Sequence, residues 1–291
     1  MSLLKSSSLA LLVALLLVGA LTACSPVTAL NALAPGDTYT RTAGVAYGSH
    51  PRQVLDVYRP ARAAPAGGWP VVVFFYGGSW NRGERGDYAF VGEALAAQGI
   101  LTLVADYRLY PEVRYPDFLK DSAGALAWGL SHAQGLGGNP KRVFVMGHSA
   151  GGYNAAMLAL DARWLNATGH QPTELAGFVG LAGAYDFLPT DNPDAQPVFF
   201  HPNYPPGTQP IAYAGPNAPR TFLGAAKEDR LVNPQRNTEA LADRLRAAGR
   251  PVTVHLYDRV NHLTLIGAFG RPLRWLAPVL EDVAGFVNSP G

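Results

Sequence analysis

The stretch that decides the fold reads Val143-Phe144-Val145-Met146-Gly147-His148-Ser149-Ala150-Gly151-Gly152. Its first four residues are apolar, which is typical of a strand buried on both faces. A helical pattern over residues 150–160 follows directly, so Ser149 falls on a tight turn between a strand and a helix. Such a turn needs small neighbours and exposes the serine hydroxyl, while the N–H group of Ala150 points from the helix N-terminus toward a reacting oxygen. The pattern predicts a nucleophilic serine at 149; the alternative is a serine that only occupies a turn.

Outward from this stretch, strand and helix patterns alternate along the chain. Apolar or alternating strand patterns occupy residues 54–58, 71–75, 100–105, 143–146, 178–181, 221–225 and 252–257. Helical patterns lie between and after them, at residues 88–98, 118–133, 150–160, 234–248 and 273–287. This alternation predicts one α/β domain with a mostly parallel sheet and helices on both faces. Ligands of such sheets bind beyond the carboxyl ends of the strands.

The composition indicates a domain with an ample core and few charges. Hydrophobic residues make up 48% of the 291 residues and charged residues 15%, which is too apolar for a disordered protein. The formal net charge is +2 without a dense Lys or Arg run, which argues against a nucleic-acid partner, because such a partner needs a clustered basic face. The single cysteine excludes an intrachain disulfide and a metal site of the Cys-pair type.

The serine turn, in its strand–turn–helix setting, resembles the nucleophile turn of the α/β-hydrolase superfamily. The resemblance covers residues 45–288 and implies a single α/β-hydrolase domain over residues 45–291, with a mostly parallel sheet of about eight strands. It also implies that the catalytic residues follow the chain order serine, acid, histidine.

Two of the seven histidines lie far enough downstream to follow the acid, His255 and His262. His255 stands inside the alternating strand pattern 252–257, so we expect it to be a side chain of the sheet. His262 follows that strand in a loop at its carboxyl end, where an imidazole can reach Ser149. We therefore predict His262 as the general base, the alternative being a structural surface histidine.

The acid is expected after the strand pattern 221–225. The run Gly224-Ala225-Ala226-Lys227-Glu228-Asp229-Arg230-Leu231-Val232 is similar to the glycine-to-acid turn of the superfamily, in which a valine follows the acid by three residues. Val232 therefore favours Asp229. The turn has two more residues than the usual spacing, so Glu228 stays open as the alternative acid.

A glycine pair after the strand pattern 71–75 resembles a second motif of these enzymes. The run Phe74-Phe75-Tyr76-Gly77-Gly78-Ser79-Trp80 is similar to the H-G-G-x-W or H-G-G-G loop of carboxylesterases, including hormone-sensitive-lipase-like and feruloyl-esterase-like members. The resemblance implies that the N–H groups of Gly78 and Ser79 join that of Ala150 in an oxyanion hole. Tyr76 stands where the family has histidine, which leaves the anchoring of the loop open, and a simple Gly-Gly turn is the alternative.

The run Asp106-Tyr107-Arg108-Leu109 is similar to the D-Y-R-L motif of the same esterases, where it braces the oxyanion loop. We expect Asp106 and Arg108 to form a supporting ion pair and to take no direct part in catalysis.

A long irregular segment lies at residues 186–219. Its 34 residues include nine prolines and several aromatic residues. Because ordinary connections are shorter than about 12 to 15 residues, we predict a lid-like insertion, with an irregular surface insertion as the alternative. Trp80, Tyr153 and the aromatic residues of this segment are candidates for the substrate pocket, and core packing is the alternative for each.

The first residues have the pattern of an export signal. Lys5 precedes an uncharged apolar run over residues 9–21, which is too short to span a bilayer. The run ends Leu21-Thr22-Ala23-Cys24, which resembles a bacterial lipobox. We therefore predict a signal peptide over residues 1–23, lipidation of Cys24 and a tether and N-terminal segment over residues 24–44; an ordinary signal peptide is the alternative. The protein would be exported and lipid-anchored in the cell envelope, at the outer membrane of a Gram-negative host.

Together these resemblances imply a serine carboxylesterase that acts on a small-molecule ester and needs neither cofactor nor metal. Its contact with a membrane would be the lipid anchor alone. Two other interpretations stay open: arylformamidase or exopeptidase activity on the same fold, and a tethered binding protein that has kept the scaffold, because a fold does not fix function. All three triad positions are filled, which favours catalysis.

Overall fold

The computed structural model describes residues 26–290. Eight strands form one sheet: β1 (Tyr39–Ala46), β2 (Val54–Pro60), β3 (Trp69–Phe75), β4 (Leu101–Ala105), β5 (Gly138–His148), β6 (Gly177–Leu181), β7 (Thr221–Ala226) and β8 (Val252–Tyr257). The α-helices are α1 (Pro26–Ala32), α2 (Ala89–Ala97), α3 (Asp117–His132), α4 (Ala150–Leu160), α5 (Ala162–Asn166), α6 (Ala240–Ala247), α7 (His262–Gly267) and α8 (Val279–Asn288).

The strands lie in the order β1-β2-β4-β3-β5-β6-β7-β8. The six strands from β3 to β8 are parallel to one another, whereas β2 pairs antiparallel with both β1 and β4. Near the centre of the sheet, β3 is buried along its whole length, as its continuous apolar run predicts. The predicted mostly parallel sheet is confirmed.

Helices cover both faces of the sheet. Val73 and Phe74 are successive residues of β3, so their side chains point to opposite faces. A Cβ added to Gly129 of α3 would lie 2.7 Å from the side chain of Val73. The ring of Tyr88, just before α2, lies 5.7 Å from that of Phe74, between ring centroids. The α/β layering is therefore as predicted. The buried apolar residues on the two sides of the sheet belong to one core cluster.

The domain extends further toward the N-terminus than the boundary at residue 45 that the sequence indicated. Residues 39–46 form the edge strand β1 of the sheet, and most of this strand lies in the N-terminal segment that the sequence places outside the domain. Helix α1 packs on the body as well, because Leu30 is largely buried and the Asn31 side chain donates to the carbonyl of Gly86 at 2.8 Å. Backbone pairing and apolar burial, not chain position, make these residues part of the fold.

The helical pattern over residues 273–287 is divided in two. A 3-10 turn, Arg271–Leu276, is followed by α8 after an extended residue, Ala277, with φ −161° and ψ 148°. Pro278 then has no N–H group to continue a helical ladder from the preceding turn.

Within residues 26–290, none of the helices combines the length and hydropathy needed to cross a bilayer. Residues 1–23 and Cys24 lie outside the described residues, so the export signal and the lipidation stay predictions.

Candidate active site

The serine turn has a backbone that only tight packing can hold. Ser149 follows the last residue of β5 and precedes α4, with φ 55° and ψ −121°, a region that residues other than glycine rarely occupy. Glycines surround it for steric reasons: a Cβ on Gly147 would lie 2.0 Å from the carbonyl oxygen of Gly151. A Cβ on Gly151 would lie 2.0 Å from the carbonyl oxygen of Phe75. The glycines of the motif thus allow the turn and the start of α4 to pack directly against the end of β3.

Three predicted residues meet at the carboxyl ends of β5, β7 and β8. The Oγ atom of Ser149 lies 2.8 Å from Nε2 of His262, and Nδ1 of the same imidazole lies 2.7 Å from Oδ2 of Asp229. A carboxylate can only accept, so Nδ1 carries the hydrogen and Nε2 accepts from the serine hydroxyl. The separations along the chain are 113 and 33 residues, so the tertiary fold brings these groups together.

Asp229 is buried and held as a carboxylate. Its second oxygen, Oδ1, accepts hydrogen bonds from the N–H groups of Leu231 and Val232 at 2.8 and 2.9 Å. Burial acts to raise the pKa of Asp229, but the hydrogen bond and charge of His262 and these two N–H groups outweigh it, so the pKa lies below its ordinary value. The alternative acid, Glu228, is exposed and its carboxylate does not meet the imidazole.

The loop after β3 presents backbone N–H groups beside this triad. Gly78, Ser79 and Trp80 all have positive φ, at 125°, 50° and 57°. Within the described part of the chain, the N–H groups of Gly78, Ser79 and Ala150 have no protein acceptor. A Cβ on Gly77 would lie 2.9 Å from Cβ of Ser149, so the loop approaches the serine closely. The fold itself therefore does not use the three N–H groups that are predicted as oxyanion donors, and the oxyanion hole stays a prediction.

Tyr76 anchors this loop, at the place where the loops that it resembles have histidine. Its hydroxyl donates to Oδ1 of Asp106 at 2.8 Å and accepts from the guanidinium of Arg52 at 2.7 Å. Arg52 also donates to the carbonyl oxygens of Tyr107 and Gly83, at 2.9 and 2.8 Å. Sequence reasoning missed Arg52, because nothing in the local pattern around it points to the loop.

The expected ion pair between Asp106 and Arg108 does not form. Asp106 instead binds Arg85, through both its side chain and its N–H group. Arg108 binds Asp121 of α3 with two hydrogen bonds of 2.8 Å. The planar guanidinium meets both carboxylate oxygens of Asp121, which is the favoured geometry for this pair. The motif therefore braces two elements, with Asp106 at the oxyanion loop and Arg108 at α3.

The predicted pocket residues Trp80 and Tyr153 are buried in an aromatic cluster. Trp80 is 3% exposed and Tyr153 is fully buried, so neither offers a surface to a substrate here. The rings of Phe187 and Phe199 pack on Trp80, with centroids 5.7 and 4.7 Å away. The indole N–H of Trp80 donates to Asn154 at 2.9 Å. Both side chains therefore pack in the core, the alternative stated for each, because rings of the 186–219 segment fill the space that they enclose. A part in the substrate pocket stays a prediction.

The 186–219 segment also touches the oxyanion loop through polar contacts. The side chain of Asn192 donates to Oγ of Ser79 at 3.3 Å, and Asp194 pairs with Arg82 at 2.8 Å. The segment is mostly irregular, with one short 3-10 turn at Pro210–Tyr213. It therefore lies over the loop beside the triad, and a lid function stays a prediction.

Other features of the described residues lie away from this site. One cavity of about 320 Å³ is lined by Arg220, Phe222 and His255 among others, and it does not adjoin Ser149. His255 bonds to Asp282 at 2.8 Å, as expected of a sheet side chain. Across residues 26–290, no three His, Cys, Asp or Glu side chains converge as metal ligands do.

Comparison with known proteins places this geometry in context. The family model described as BD-FAE matches residues 55–245. Esterase LipC of Mycobacterium tuberculosis is 31% identical over 248 residues, which are 79% of this chain and 59% of that protein. A probable isoprenylcysteine alpha-carbonyl methylesterase of Oryza sativa is 29% identical over 268 residues, 84% of this chain and 62% of that protein. The chain thus spans about three fifths of the length of these relatives.

Solved structures share the fold. An esterase B from Lactobacillus rhamnosis has a TM-score of 0.74 at 19% identity and covers 96% of both chains. An esterase of Pyrobaculum calidifontis has a TM-score of 0.71 at 22% identity, covering 90% of this chain and 87% of that one. The predicted α/β-hydrolase fold is confirmed.

Proposed function

We propose that this chain, which belongs to the BD-FAE family, hydrolyses carboxylic esters through a covalent acyl-enzyme formed on Ser149. The observation that carries the proposal is the unbroken hydrogen-bond path from Ser149 through His262 to Asp229, at 2.8 and 2.7 Å. The esterases among its relatives support ester hydrolysis as the reaction class.

In the acylation step, Oγ of Ser149 attacks the ester carbonyl carbon while Nε2 of His262 takes the hydroxyl proton. The carbonyl oxygen becomes an anion and is bound by the N–H groups of Gly78, Ser79 and Ala150. Asp229 keeps the imidazole in the required tautomer and stabilises its charged form. The tetrahedral intermediate then collapses, the bond to the alcohol oxygen breaks, and His262 gives its proton to the leaving alcohol.

In the deacylation step, water replaces the alcohol. His262 removes a proton from the water, whose oxygen attacks the acyl carbon, and the same N–H groups bind the second anion. Collapse returns the proton to Oγ of Ser149 and releases the carboxylic acid. Every proton is held by His262 between its donor and its acceptor, so this mechanism uses only groups of the chain.

The test is hydrolysis of p-nitrophenyl acetate and butyrate by the wild type and by Ser149→Ala. We expect kcat/KM to fall by about 10³- to 10⁶-fold in the variant, because the nucleophile is lost. A fluorophosphonate probe should label the wild type at Ser149. Wild-type turnover in the variant would refute the mechanism, and matched formamide and aminoacyl-anilide substrates would separate ester hydrolysis from the amide-cleaving alternatives.

The chain contains a matched control for this test. On the surface, Oγ of Ser131 lies 3.1 Å from Nε2 of His170, whose Nδ1 lies 2.9 Å from Glu174. This group has the hydrogen-bond order of a triad, but Ser131 lies inside α3, without a strained turn and without converging N–H groups. Ser131→Ala should therefore leave turnover unchanged. Loss of activity in this variant would contradict the assignment of Ser149 as the nucleophile.

We also propose that the protein is exported and lipid-anchored through Cys24, the only cysteine of the chain. Support comes from the lipobox-like residues that precede it. In a bacterial host, the full chain should incorporate a clickable fatty acid and enter the membrane fraction, and Cys24→Ala should lose both. Labelling that survives this substitution would contradict the assignment.

A further inference from the structure

His148, the residue before the nucleophile, makes a contact that the mechanism above does not use. Its Nε2 atom lies 3.0 Å from the backbone carbonyl oxygen of His262, and the two imidazole rings lie 4.9 Å apart between centroids. His148 is 2% exposed. Because a carbonyl only accepts, Nε2 of His148 carries the hydrogen and donates it to the backbone of the general base.

The sheet does not itself fix the distance that this contact spans. Ser149 follows β5 and His262 follows β8, and two strands, β6 and β7, lie between them. Neighbouring strands are about 4.8 Å apart, so the loop after β8 must reach across roughly 14 Å to bring its imidazole to the serine. The hydrogen bond from His148 joins the loop of the base directly to the turn of the nucleophile.

The other ring nitrogen of His148 faces the oxyanion loop. A Cβ on Gly77 would lie 3.2 Å from Nδ1, and within the described residues this buried nitrogen has no hydrogen-bond partner. An imidazolium here would carry a second N–H group, on Nδ1, and would bury it without a hydrogen-bond partner, which is costly. Burial, and to a lesser extent the charge of nearby His262, lowers the pKa of His148 to about 3. The ring is therefore neutral, with its one hydrogen on Nε2.

We propose that His148 is a positioning residue: its Nε2–H bond to the carbonyl of His262 holds the general base within hydrogen-bond reach of Ser149. The inference rests on the proposed function of that serine. A loop displaced by about 1 Å costs on the order of 10²-fold in rate, so one hydrogen bond at this place controls turnover.

Two variants of similar size separate the hydrogen bond from packing. His148→Gln keeps an N–H donor at a position close to Nε2, and His148→Met fills the volume without a donor. We expect kcat to fall about 10- to 100-fold in His148→Met with KM changed less than about 3-fold, and to return to within about 3-fold of the wild type in His148→Gln. Fluorophosphonate labelling of Ser149 should slow in the same order, because it requires the serine and imidazole to act together and does not depend on deacylation.

Equal kcat in the two variants, whether high or low, would overturn the proposal, because the donor would then make no difference. Thermal unfolding curves establish that each variant is folded at the assay temperature. If neither variant folds, the wild type decides: nitrogen-15 NMR of labelled histidine should show His148 neutral near pH 6, with Nε2 protonated and Nδ1 bare. A protonated Nδ1 would overturn the proposal. A wild type without esterase activity would refute the proposed function. The NMR result would still test the hydrogen bond from His148 to the backbone of His262.

Discussion

The guanidinium of Arg52 donates a hydrogen bond of 2.7 Å to the hydroxyl of Tyr76. That hydroxyl in turn donates a hydrogen bond of 2.8 Å to Asp106. The phenol therefore links a cation and a buried carboxylate beneath the oxyanion loop. A histidine at this place, as in the loops that this one resembles, would supply one hydrogen-bond donor on a shorter side chain. The tyrosine reaches further and stacks on Tyr88 and Tyr107 on its two sides.

Tyr76→Phe should therefore weaken the anchoring of the oxyanion loop. The change removes both hydrogen bonds of the hydroxyl and leaves Arg52 and Asp106 each with one partner fewer, at a cost of about 1–3 kcal/mol in the free energy of unfolding. We expect kcat to fall more than KM rises, because the oxyanion donors act mainly in the transition state. Urea unfolding and steady-state kinetics measure these effects. Tyr39→Phe, on the outer strand β1, is the control and should change neither.

Asp229→Asn tests which acid orients the base. Asparagine keeps the size of the side chain but loses the charge that stabilises the imidazolium, so kcat should fall by about 10²- to 10⁴-fold. Glu228→Gln makes the same change of charge at the exposed neighbouring residue and should stay within about 2-fold of the wild type. The reverse ranking of the two variants in steady-state kinetics would make Glu228 the acid.

Gly147→Ala tests the steric basis of the serine turn. The added methyl group would lie 2.0 Å from the carbonyl oxygen of Gly151, a backbone atom that cannot move without displacing α4. We expect a loss of more than about 3 kcal/mol in the free energy of unfolding, or no folded protein. Gly285→Ala on α8, where a Cβ meets no atom within 4 Å, is the control. It should stabilise the protein by up to about 1 kcal/mol, as alanine does in a helix. Similar melting temperatures for the two variants would contradict the steric argument.

The pH dependence of stability should contain a signature of His148. Its pKa falls from about 6.5 in an unfolded chain to about 3 in the fold, so below about pH 6.5 the unfolded state binds one proton more. Stability from this group is complete at neutral pH and is lost as the pH falls through that window, by about 1.4 kcal/mol per pH unit. Asp229 and His262, which face the ring, remain in the His148→Gln variant.

Urea unfolding of the wild type and of His148→Gln between about pH 4.5 and about pH 7 measures this effect. The free energy of unfolding of the wild type should fall more steeply toward acid than that of the variant. Parallel profiles would show that the ring titrates as it does in the unfolded chain.

Sequence patterns predicted the parallel part of the fold well, because most of its strands are continuous apolar runs buried on both faces. They missed β1, whose eight residues are mostly exposed and contain no buried apolar run. Its place in the sheet depends on pairing with β2, a contact between segments that no local pattern records. The break at Pro278 was missed for a different reason, since the apolar spacing continues past the proline while the backbone does not.

In the site, the residues that a local motif surrounds were identified and now lie within hydrogen-bond distance of each other: Ser149, Asp229 and His262. Their partners from distant segments were not. The contacts of Arg52 with Tyr76 and of Arg108 with Asp121 depend on which carboxylate or hydroxyl the fold brings closest, and the sequence does not record that distance. Trp80 and Tyr153 stayed open between a pocket and the core, because aromatic residues near a nucleophile suit either role and only packing distinguishes the two.

The edge strand β1 has a further consequence for how copies of this protein meet. Its pairing with β2 shifts register between Thr42 and Val45, where Gly44 has φ 69° and donates its N–H group inward to Asp56 at 2.8 Å. That carboxylate is also bound by Arg41 and fixes the irregularity. A strand of another copy would therefore meet an irregular sheet edge, at which the N–H group of Gly44 is already hydrogen-bonded. Such an edge disfavours the continuous hydrogen-bond ladders that seed aggregation.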